Sequence, residues 1–226
     1  MSRNTPPSVA PSVGNPTGVL IAQLVDGLEP VRPLRFSSGL GFALAGLGVT
    51  MTTVALLFGI RPDVITGSFD PVFLLATGLF LLLGLACAVT VIMMSRPRVG
   101  SDHGGWVWAV AMAALLPIAA TISSLGRGPA AFTASAAQQG FDCLMAGSGL
   151  ALMTFAVLIW WLRRGAPTSP GRAGLLAGIA AGSFGIFAIS FHCDSSDIVH
   201  IGLWHSAVVV VSALVGRIAV PPLIRW

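Results

Sequence analysis

The densest group of chemically active side chains in this 226-residue sequence lies in the stretch FHCDSSDIVH, residues 191–200. Within nine positions this stretch contains His192, Cys193, Asp194, Asp197 and His200. Thiolate and imidazole ligands together suit zinc, copper and softer heavy metals. No spacing here is as specific as C-x2-C, so the stretch by itself indicates metal or redox chemistry without naming an ion.

Two more candidates for this chemistry lie elsewhere in the chain. Cys143 follows Asp142 at the start of one apolar run, and His205 lies shortly after the start of another. Cys87, in contrast, lies deep in an apolar run, where a small buried hydrophobe is the simplest interpretation. A plain alternative stays open for the whole group, in which the polar residues form a solvated loop and the cysteines are merely interfacial.

The rest of the chain indicates a membrane protein. Hydrophobic residues make up 55% of it and charged residues only 9%, whereas a soluble domain carries roughly 25% charged residues. A helix needs about 20 apolar residues to cross the hydrocarbon core of a bilayer. Six runs are long enough: about 36–60, 71–95, 106–126, 143–162, 173–193 and 198–219. Because backbone polar groups must pair internally in lipid, we predict an all-α bundle of six transmembrane helices over residues 36–226.

All 12 basic residues are arginines, and their distribution predicts the orientation. With six spans both termini lie on one side, which carries ten of the arginines, while the opposite side carries only Arg61 and Arg127. This asymmetry is typical of the positive-inside rule. We therefore predict a multi-pass protein of the bacterial inner (cytoplasmic) membrane with both termini in the cytoplasm. The basic net charge reports topology, and we expect no direct binding to nucleic acid.

The predicted orientation brings Cys143 and Cys193 to the extracytoplasmic ends of spans four and five. A short loop, about residues 163–172, joins these spans into a helical hairpin, so the two cysteines can come within disulfide or shared-metal range. The extracytoplasmic compartment of a bacterium is oxidising, so a reversible disulfide and a metal site are both open. The same side carries the further candidates His192, Asp194, His200 and His205.

Small residues predict how the spans pack. Gly174, Gly178 and Gly182 are spaced four apart in span five, which lets helix backbones approach closely. We expect this stripe to pack against the groove formed by Gly147 and Ala151 in span four.

The segment before the first span has two predicted parts. Residues 1–16 are rich in Pro, Ser, Asn and Thr and predict a disordered tail. Residues 17–35 predict a cytoplasmic segment with one short amphipathic helix that Pro30 stops. We expect its apolar stripe to bind the bilayer, the loops of the bundle or another protein. If another protein binds there, the residues predicted to contact it are Leu20, Ile21, Leu24, Asp26, Leu28, Glu29, Pro30, Arg32 and Pro33.

Catalytic motifs are missing from the sequence. It contains no P-loop, no G-x-S-x-G, no H-E-x-x-H and no C-x-x-C, so we predict that the protein is not an enzyme. One alternative is a metal or small-solute transporter that uses the outer Cys/His group, although the spans lack the charges that ion paths normally need. Another is a haem or redox membrane protein that uses His192, His200 and His205.

Three stretches of the chain form a recognisable set: LVDGLEPVRPL (24–34), FDCLMAG (141–147) and the C-terminal third, which runs from GLLAGIAAG to LIRW (174–226). Together they resemble the NrsF family of membrane anti-sigma factors, negative regulators of sigma F. The six-span layout matches as well. The chain departs from the family in its long Pro-rich N-terminal extension and in the C-terminal box that follows Pro221 and Pro222.

This resemblance implies regulation without catalysis. Members of the family hold an extracytoplasmic-function (ECF) sigma factor at the cytoplasmic face and so keep it from RNA polymerase. Heavy metals or oxidants outside are sensed through two cysteines, which match Cys143 and Cys193 here, and the sigma factor is then released. The implied partner is an ECF-type, SigF-like sigma factor. The resemblance implies no constitutive cofactor, only a heavy-metal ion bound transiently at the two cysteines.

Overall fold

The computed structural model describes residues 16–27, 34–96, 105–128 and 133–224. In these four ranges every regular element is a helix, and no strand occurs. The predicted all-α fold is therefore confirmed. The chain divides into two units, a leader up to Pro33 and a bundle from Leu34 onward.

The leader contains one helix, α1 (Pro16–Asp26), followed by a turn at Gly27. Proline suits the first position of a helix because its missing N–H would have no partner there. The helix ends earlier than the predicted stop at Pro30, and residues 28–33 lie outside the described ranges, as do residues 1–15 of the predicted tail. The five large apolar side chains of α1 are each at least 50% exposed: Val19, Leu20, Ile21, Leu24 and Val25.

Seven helices make up the described part of the bundle. In chain order they are α2 (Phe36–Leu57), α3 (Pro62–Thr66), α4 (Pro71–Met94), α5 (Gly105–Arg127), α6 (Ala134–Arg163), α7 (Pro170–Ser190) and α8 (Ile198–Ile224). All of them except the short α3 are long and apolar enough to cross a membrane. Two differ clearly from the predicted spans. Helix α6 starts nine residues earlier, where the Thr133 side chain accepts a hydrogen bond from the N–H of Ala136, and α8 continues through Pro221 and Pro222.

Helix α7 forms the core of the bundle. Sixteen of its 21 residues are buried, and it packs mainly against α8, α6 and α4. Its sequence is rich in alanine and glycine, so neighbouring helices can approach it from several directions. Helix α5, in contrast, buries only Ala109, Leu116 and Ala120, which leaves most of its apolar surface for lipid.

The glycine stripe of α7 packs closely, as predicted, but against a different helix. A Cβ atom at Gly174 or Gly178 would overlap a backbone carbonyl oxygen of α8, that of Gly216 or Ser212 respectively. The predicted groove of α6, at Gly147 and Ala151, instead receives Gly185 of α7. The expected pairing of the stripe with span four is therefore wrong: Gly174 and Gly178 meet α8, and α6 contacts α7 further along the helix, at Gly185.

The end of the bundle opposite the cysteines is closed by hydrogen bonds around Ser95. The Trp161 side chain donates to the Ser95 hydroxyl (3.1 Å), and the backbone N–H of Ala166 donates to the Ser95 carbonyl (2.9 Å). The guanidinium of the next residue, Arg96, donates to the carbonyl of Leu34 (2.9 Å). These bonds join the ends of α4 and α6 to the residue with which the bundle begins.

The contact between α7 and α8 gives a stability prediction. We expect Gly178→Ala to lower the free energy of unfolding by about 1–3 kcal/mol, because the added methyl group must force two helix backbones apart. The matched control is Gly149→Ala on α6, where a Cβ atom meets open space and alanine favours the helix. Thermal unfolding of the purified variants in detergent measures the difference. Equal midpoints for the two variants would contradict the backbone contact.

Candidate functional site

Four of the predicted site residues converge at one end of the bundle. The ligand atoms of Cys143, Cys193, His200 and His205 all lie within 4.8 Å of one another. The two Sγ atoms are 3.4 Å apart, and Sγ of Cys193 is 3.5 Å from Nε2 of His200. All four side chains are buried, and neither cysteine is bridged. We call these four residues the Cys/His cluster.

The two cysteines come from different kinds of segment. Cys143 lies in the third turn of α6 rather than at its start, about 14 Å along the helix axis from Ala134. Cys193 lies just beyond the end of α7, and its backbone N–H donates to the carbonyl of Ile189 (3.0 Å). Because α6 begins at Ala134, about two and a half turns of this helix precede Cys143.

A π-helical turn brings the two histidines together. Residues 201–205 at the start of α8 form this turn. In an α-helix, residues five apart point about 140° away from each other, whereas a π-turn closes on the fifth residue. His200 and His205 therefore share one face, with ring centroids 5.2 Å apart.

Two glycines make room for the π-turn. A Cβ atom at Gly202 would overlap Ala120 and the carbonyl of Leu116 on α5. On the other side, a Cβ atom at Gly140 of α6 would overlap the ring of Trp204. The turn is thus held tightly between α5 and α6, which fixes the direction of both histidines.

Arg61 holds the loop that carries Cys193. Its guanidinium donates to the carbonyl of Cys193 (2.8 Å), to the hydroxyl of Ser196 (3.1 Å) and to the carboxylate of Asp63 (2.6 Å). Its backbone N–H donates to the carbonyl of Phe191 (2.9 Å). The Arg61 side chain is only 6% exposed, so these bonds are largely shielded from water. This arginine ties the connection between α2 and α4 to the loop between α7 and α8.

The second arginine at this end, Arg127, pairs with Asp197. The same aspartate caps the start of α8 by accepting a hydrogen bond from the N–H of His200 (3.4 Å). Partial burial raises the pKa of Asp197, but the hydrogen bond and the charge of Arg127 lower it by more, so that the net shift is downward. The pair therefore favours an ionised cap at the beginning of the histidine-bearing helix.

Cys193 is the more acidic thiol of the pair. The hydrogen bond from the Cys143 thiol lowers the pKa of Cys193 and, with a smaller contribution from His200, outweighs the opposing effect of burial. A thiolate is the form that binds metals and attacks electrophiles. The sulfur of Cys193 is therefore the one better suited to bind a metal ion or to attack an electrophile.

Two predicted candidates lie outside the cluster. His192 and Asp194 are exposed, and the His192 ring contacts Phe58 with centroids 5.5 Å apart. Both line a surface cavity of about 220 Å³ that also reaches Cys143 and Cys193. They accordingly lie along an approach to the cluster rather than within it.

The other predictions for individual residues have separate outcomes. Cys87 is buried in the apolar core, in agreement with its interpretation as a small hydrophobe. Of the predicted partner-binding residues, Leu20, Ile21, Leu24 and Asp26 lie on α1 and are exposed. The remaining five lie outside the described residues: Leu28, Glu29, Pro30, Arg32 and Pro33.

Sequence reasoning missed the structural part played by Arg61 and Arg127. In the sequence both stand only as the two basic residues on the less positive side. Their isolation on that side was the available signal, because an arginine that opposes the general charge pattern commonly has a specific partner.

Six helices are long and apolar enough to cross a membrane, and a buried group of thiols and imidazoles lies at one end of their bundle. These features define a multi-pass α-helical membrane protein. The family profile described as "Negative regulator of sigma F" matches residues 24–226, so the chain belongs to the NrsF family. The resemblance seen in the three sequence stretches is thereby confirmed. This family comprises regulators rather than enzymes.

Two curated relatives match over nearly their full lengths. The "Anti-sigma-F factor NrsF" of Caulobacter vibrioides (strain NA1000 / CB15N) is 29% identical over 212 residues, which cover 92% of this chain and 96% of that protein. The "Probable anti-sigma-F factor NrsF" of Azospira oryzae (strain ATCC BAA-33 / DSM 13638 / PS) is 26% identical over 209 residues, covering 87% and 91%. No solved structure matches this chain.

The contacts of Arg61 give a prediction about thiol reactivity. We expect Arg61→Gln to raise the rate of Cys193 alkylation roughly tenfold, because losing even one charged hydrogen bond costs about 1.5–3 kcal/mol and frees the loop. Site-resolved mass spectrometry after timed maleimide labelling of reduced, metal-free membranes measures this rate. Arg217→Gln, which changes an exposed arginine of α8, is the control and should label like the wild type. An unchanged rate in the Arg61 variant would show that this arginine does not hold the loop.

Proposed function

We propose that this protein is an anti-sigma factor that holds an ECF-type sigma factor at the cytoplasmic face of the bacterial inner membrane. In this proposal, heavy metal or oxidant on the outer side acts at Cys143 and Cys193, and the sigma factor is released. Family membership and the names of both relatives support the anti-sigma activity. The observation that carries the sensory part is the buried contact between the two sulfur atoms, 3.4 Å apart.

The proposed orientation rests on charge. Ten of the 12 arginines belong to the side that carries both termini, which the positive-inside rule assigns to the cytoplasm. The two exceptions, Arg61 and Arg127, each have a carboxylate partner close to the Cys/His cluster. A local structural reason thus accounts for both, and the cluster would face the extracytoplasmic side.

The proposed docking element is α1. Its apolar side chains are exposed, and an amphipathic helix of this kind binds by laying its apolar face into a groove of the partner. Leu20, Ile21 and Leu24 would enter that groove, with Asp26 beside them. The other predicted contact residues, at positions 28–33, belong to the same proposed docking segment.

The proposed signal is a change in bonding at sulfur. A thiophilic cation binds the two cysteines as thiolates and displaces their protons. A two-electron oxidant instead converts both thiols into a disulfide with the loss of two protons. To change a partner from 99% bound to 1% bound, the signal must supply about 5.5 kcal/mol of differential binding. Metal–thiolate bonds can supply this energy, whereas a surface ion pair cannot.

A continuous element links the proposed sensor to the far end of the bundle. Helix α6 carries Cys143 in its third turn and Trp161 in its last, about 27 Å apart along the axis. Trp161 donates to Ser95, and the neighbouring Arg96 donates to Leu34. A shift of α6 at the cysteines would therefore reach the residue at which the leader joins the bundle.

The geometry disfavours the haem alternative in the form predicted from three histidines. His192 is exposed and packs on Phe58, apart from His200 and His205. The transporter alternative conflicts with the regulatory family. A test of solute flux in proteoliposomes would separate it, since an anti-sigma factor should carry nothing.

Docking through α1 can be tested with two charge changes on adjacent residues. We expect Leu24→Asp to reduce co-purification of the sigma factor at least tenfold, because a carboxylate would replace an apolar side chain in the groove. Gln23→Asp adds the same charge on the polar face of α1 and should leave the complex intact. Quantitative pull-down from solubilised membranes gives the readout. Full retention in the Leu24 variant would exclude the apolar stripe from the interface.

Sensing at the cysteines can be tested by transcription. We expect Cys193→Ser to abolish most of the induction of sigma-dependent genes by cadmium, because serine does not provide a soft thiolate ligand. Cys87→Ser is the control, since this buried residue lies among apolar side chains of the core, and it should keep the response. A reporter gene followed after cadmium addition provides the measurement. Undiminished induction in the Cys193 variant would remove this residue from the sensor.

A further inference from the structure

We propose that Cys143, Cys193, His200 and His205 form a closed four-ligand site that holds Zn²⁺ in the resting protein. This inference deepens the proposed function and rests on it, because the ion would occupy the two sensory cysteines. It adds both histidines as ligands. It also gives the two cysteines a bound metal ion before any signal arrives.

The donor set and its dimensions fit zinc. Two thiolates and two imidazoles form one of the common tetrahedral sets of structural zinc sites. With metal–ligand bonds of roughly 2.0–2.3 Å, the ligand atoms of such a tetrahedron lie roughly 3.3–3.8 Å apart. The separations of 3.4 Å between the sulfurs and 3.5 Å between Cys193 and His200 fall in this range. The most distant pair, within 4.8 Å, needs a contraction of about 1 Å.

His205 supplies an independent indication of a missing partner. Its side chain is only 2% exposed, and neither ring nitrogen makes a well-formed hydrogen bond to the described residues, although the ring lies close enough to the Cys193 sulfur to interact with it. A buried polar group without a partner is costly, and an imidazole with no other bond is available to a metal ion. Coordination by one nitrogen would remove much of this cost.

The π-turn is a second indication. This geometry is rare and is frequently found at functional sites. Here its effect is to turn His205 onto the face of His200, next to the cysteines. A regular α-helix through residues 200–205 would separate the two rings by about 140° and leave only one of them at the sulfurs.

The charge of the complete site also suits its surroundings. Two thiolates neutralise Zn²⁺, and both imidazoles bind in their neutral form, so the filled site carries no net charge. Two thiol protons are released on binding. A neutral centre avoids the penalty for burying an isolated charge among apolar helices.

The cluster has routes by which an ion can enter. The cavity of about 220 Å³ reaches both cysteines, and a separate cavity of about 230 Å³ is lined by His200 and Trp204. A filled site would join α6 to the segment 193–205. Cadmium would then act by replacing zinc, and an oxidant by taking two electrons from the thiolates to form a disulfide and free Zn²⁺.

The test uses the full-length chain, purified in detergent under reducing conditions without chelators. We expect mass spectrometry to find one zinc ion per chain. After removal of the zinc, titration with Co²⁺ should give the strong visible bands of tetrahedral cobalt together with thiolate-to-cobalt charge transfer. A zinc-free preparation that binds cobalt only weakly, or with the pale spectrum of octahedral coordination, would overturn the site.

Single substitutions test the two histidines. We expect His200→Asn and His205→Asn each to weaken cobalt binding at least tenfold and to change its visible spectrum. His192→Asn and Cys87→Ala should bind like the wild type. A second replacement, His205→Gln, together with thermal unfolding of every variant, separates a lost ligand from a misfolded bundle. Wild-type affinity and spectrum in folded His200 and His205 variants would overturn the four-ligand site, even if Cys193→Ser abolished binding.

Measuring sigma-factor retention on the same preparations separates this inference from the proposed function. A protein that retains the sigma factor but binds no zinc overturns the metal site alone. A protein that binds zinc through all four residues but retains no sigma factor supports the metal site and removes the anti-sigma activity.

Discussion

Direct backbone contact between α7 and α8 sets the relative position of the two helices on either side of the Cys193 loop. Because Gly174 and Gly178 carry no side chain, the two helices approach until carbonyl oxygens of α8 fill the space where Cβ atoms would lie. The loop between them, residues 191–197, is held in addition by Arg61, which donates to the carbonyl of Cys193 and to the hydroxyl of Ser196. This one helix pair positions Cys193, His200 and His205, and α6, which contacts α7 further along at Gly185, adds the fourth ligand.

Polar groups in an apolar bundle must find hydrogen-bond partners within the protein. At the cysteine end, some polar groups have such partners and others do not. Arg61 satisfies the loop of Cys193 with several hydrogen bonds, and Asp197 satisfies the start of α8. Among the residues that the structure describes, neither ring nitrogen of the buried His205 has a hydrogen-bond partner. The polar groups around the cluster thus have hydrogen-bond partners, whereas the His205 ring inside it has none among the described residues. This difference is the physical basis for regarding the cluster as a binding site.

Composition and apolar run length were enough to predict the six helices, because crossing a bilayer leaves few other structures possible. Convergence of Cys143 and Cys193 followed from the hairpin they share. The sequence could not reveal the alignment of His205, since a π-turn breaks the 3.6-residue period on which helix reading depends. Nor could it connect Arg61 to Cys193, because that bond spans 132 residues and depends on how the helices are arranged. The partner of the glycine stripe was mistaken because two helices, α8 and α6, contact α7 glycines at different heights, and sequence spacing does not tell these neighbours apart.

The prolines near the end of α8 set the depth of the whole bundle. Pro221 and Pro222 have no N–H groups, so they cannot donate to the carbonyls one turn earlier, at Arg217 and Ile218. Those oxygens need water, which places them at the boundary of the hydrocarbon layer, where the exposed Arg217 also belongs. From Ile218 back to His200 the helix rises about 27 Å, close to the thickness of that layer, about 30 Å. His200 therefore lies just beneath the opposite boundary of the hydrocarbon layer, and His205 lies about 8 Å deeper. The site is thus shielded from water and still close enough to the surface for an ion to reach it.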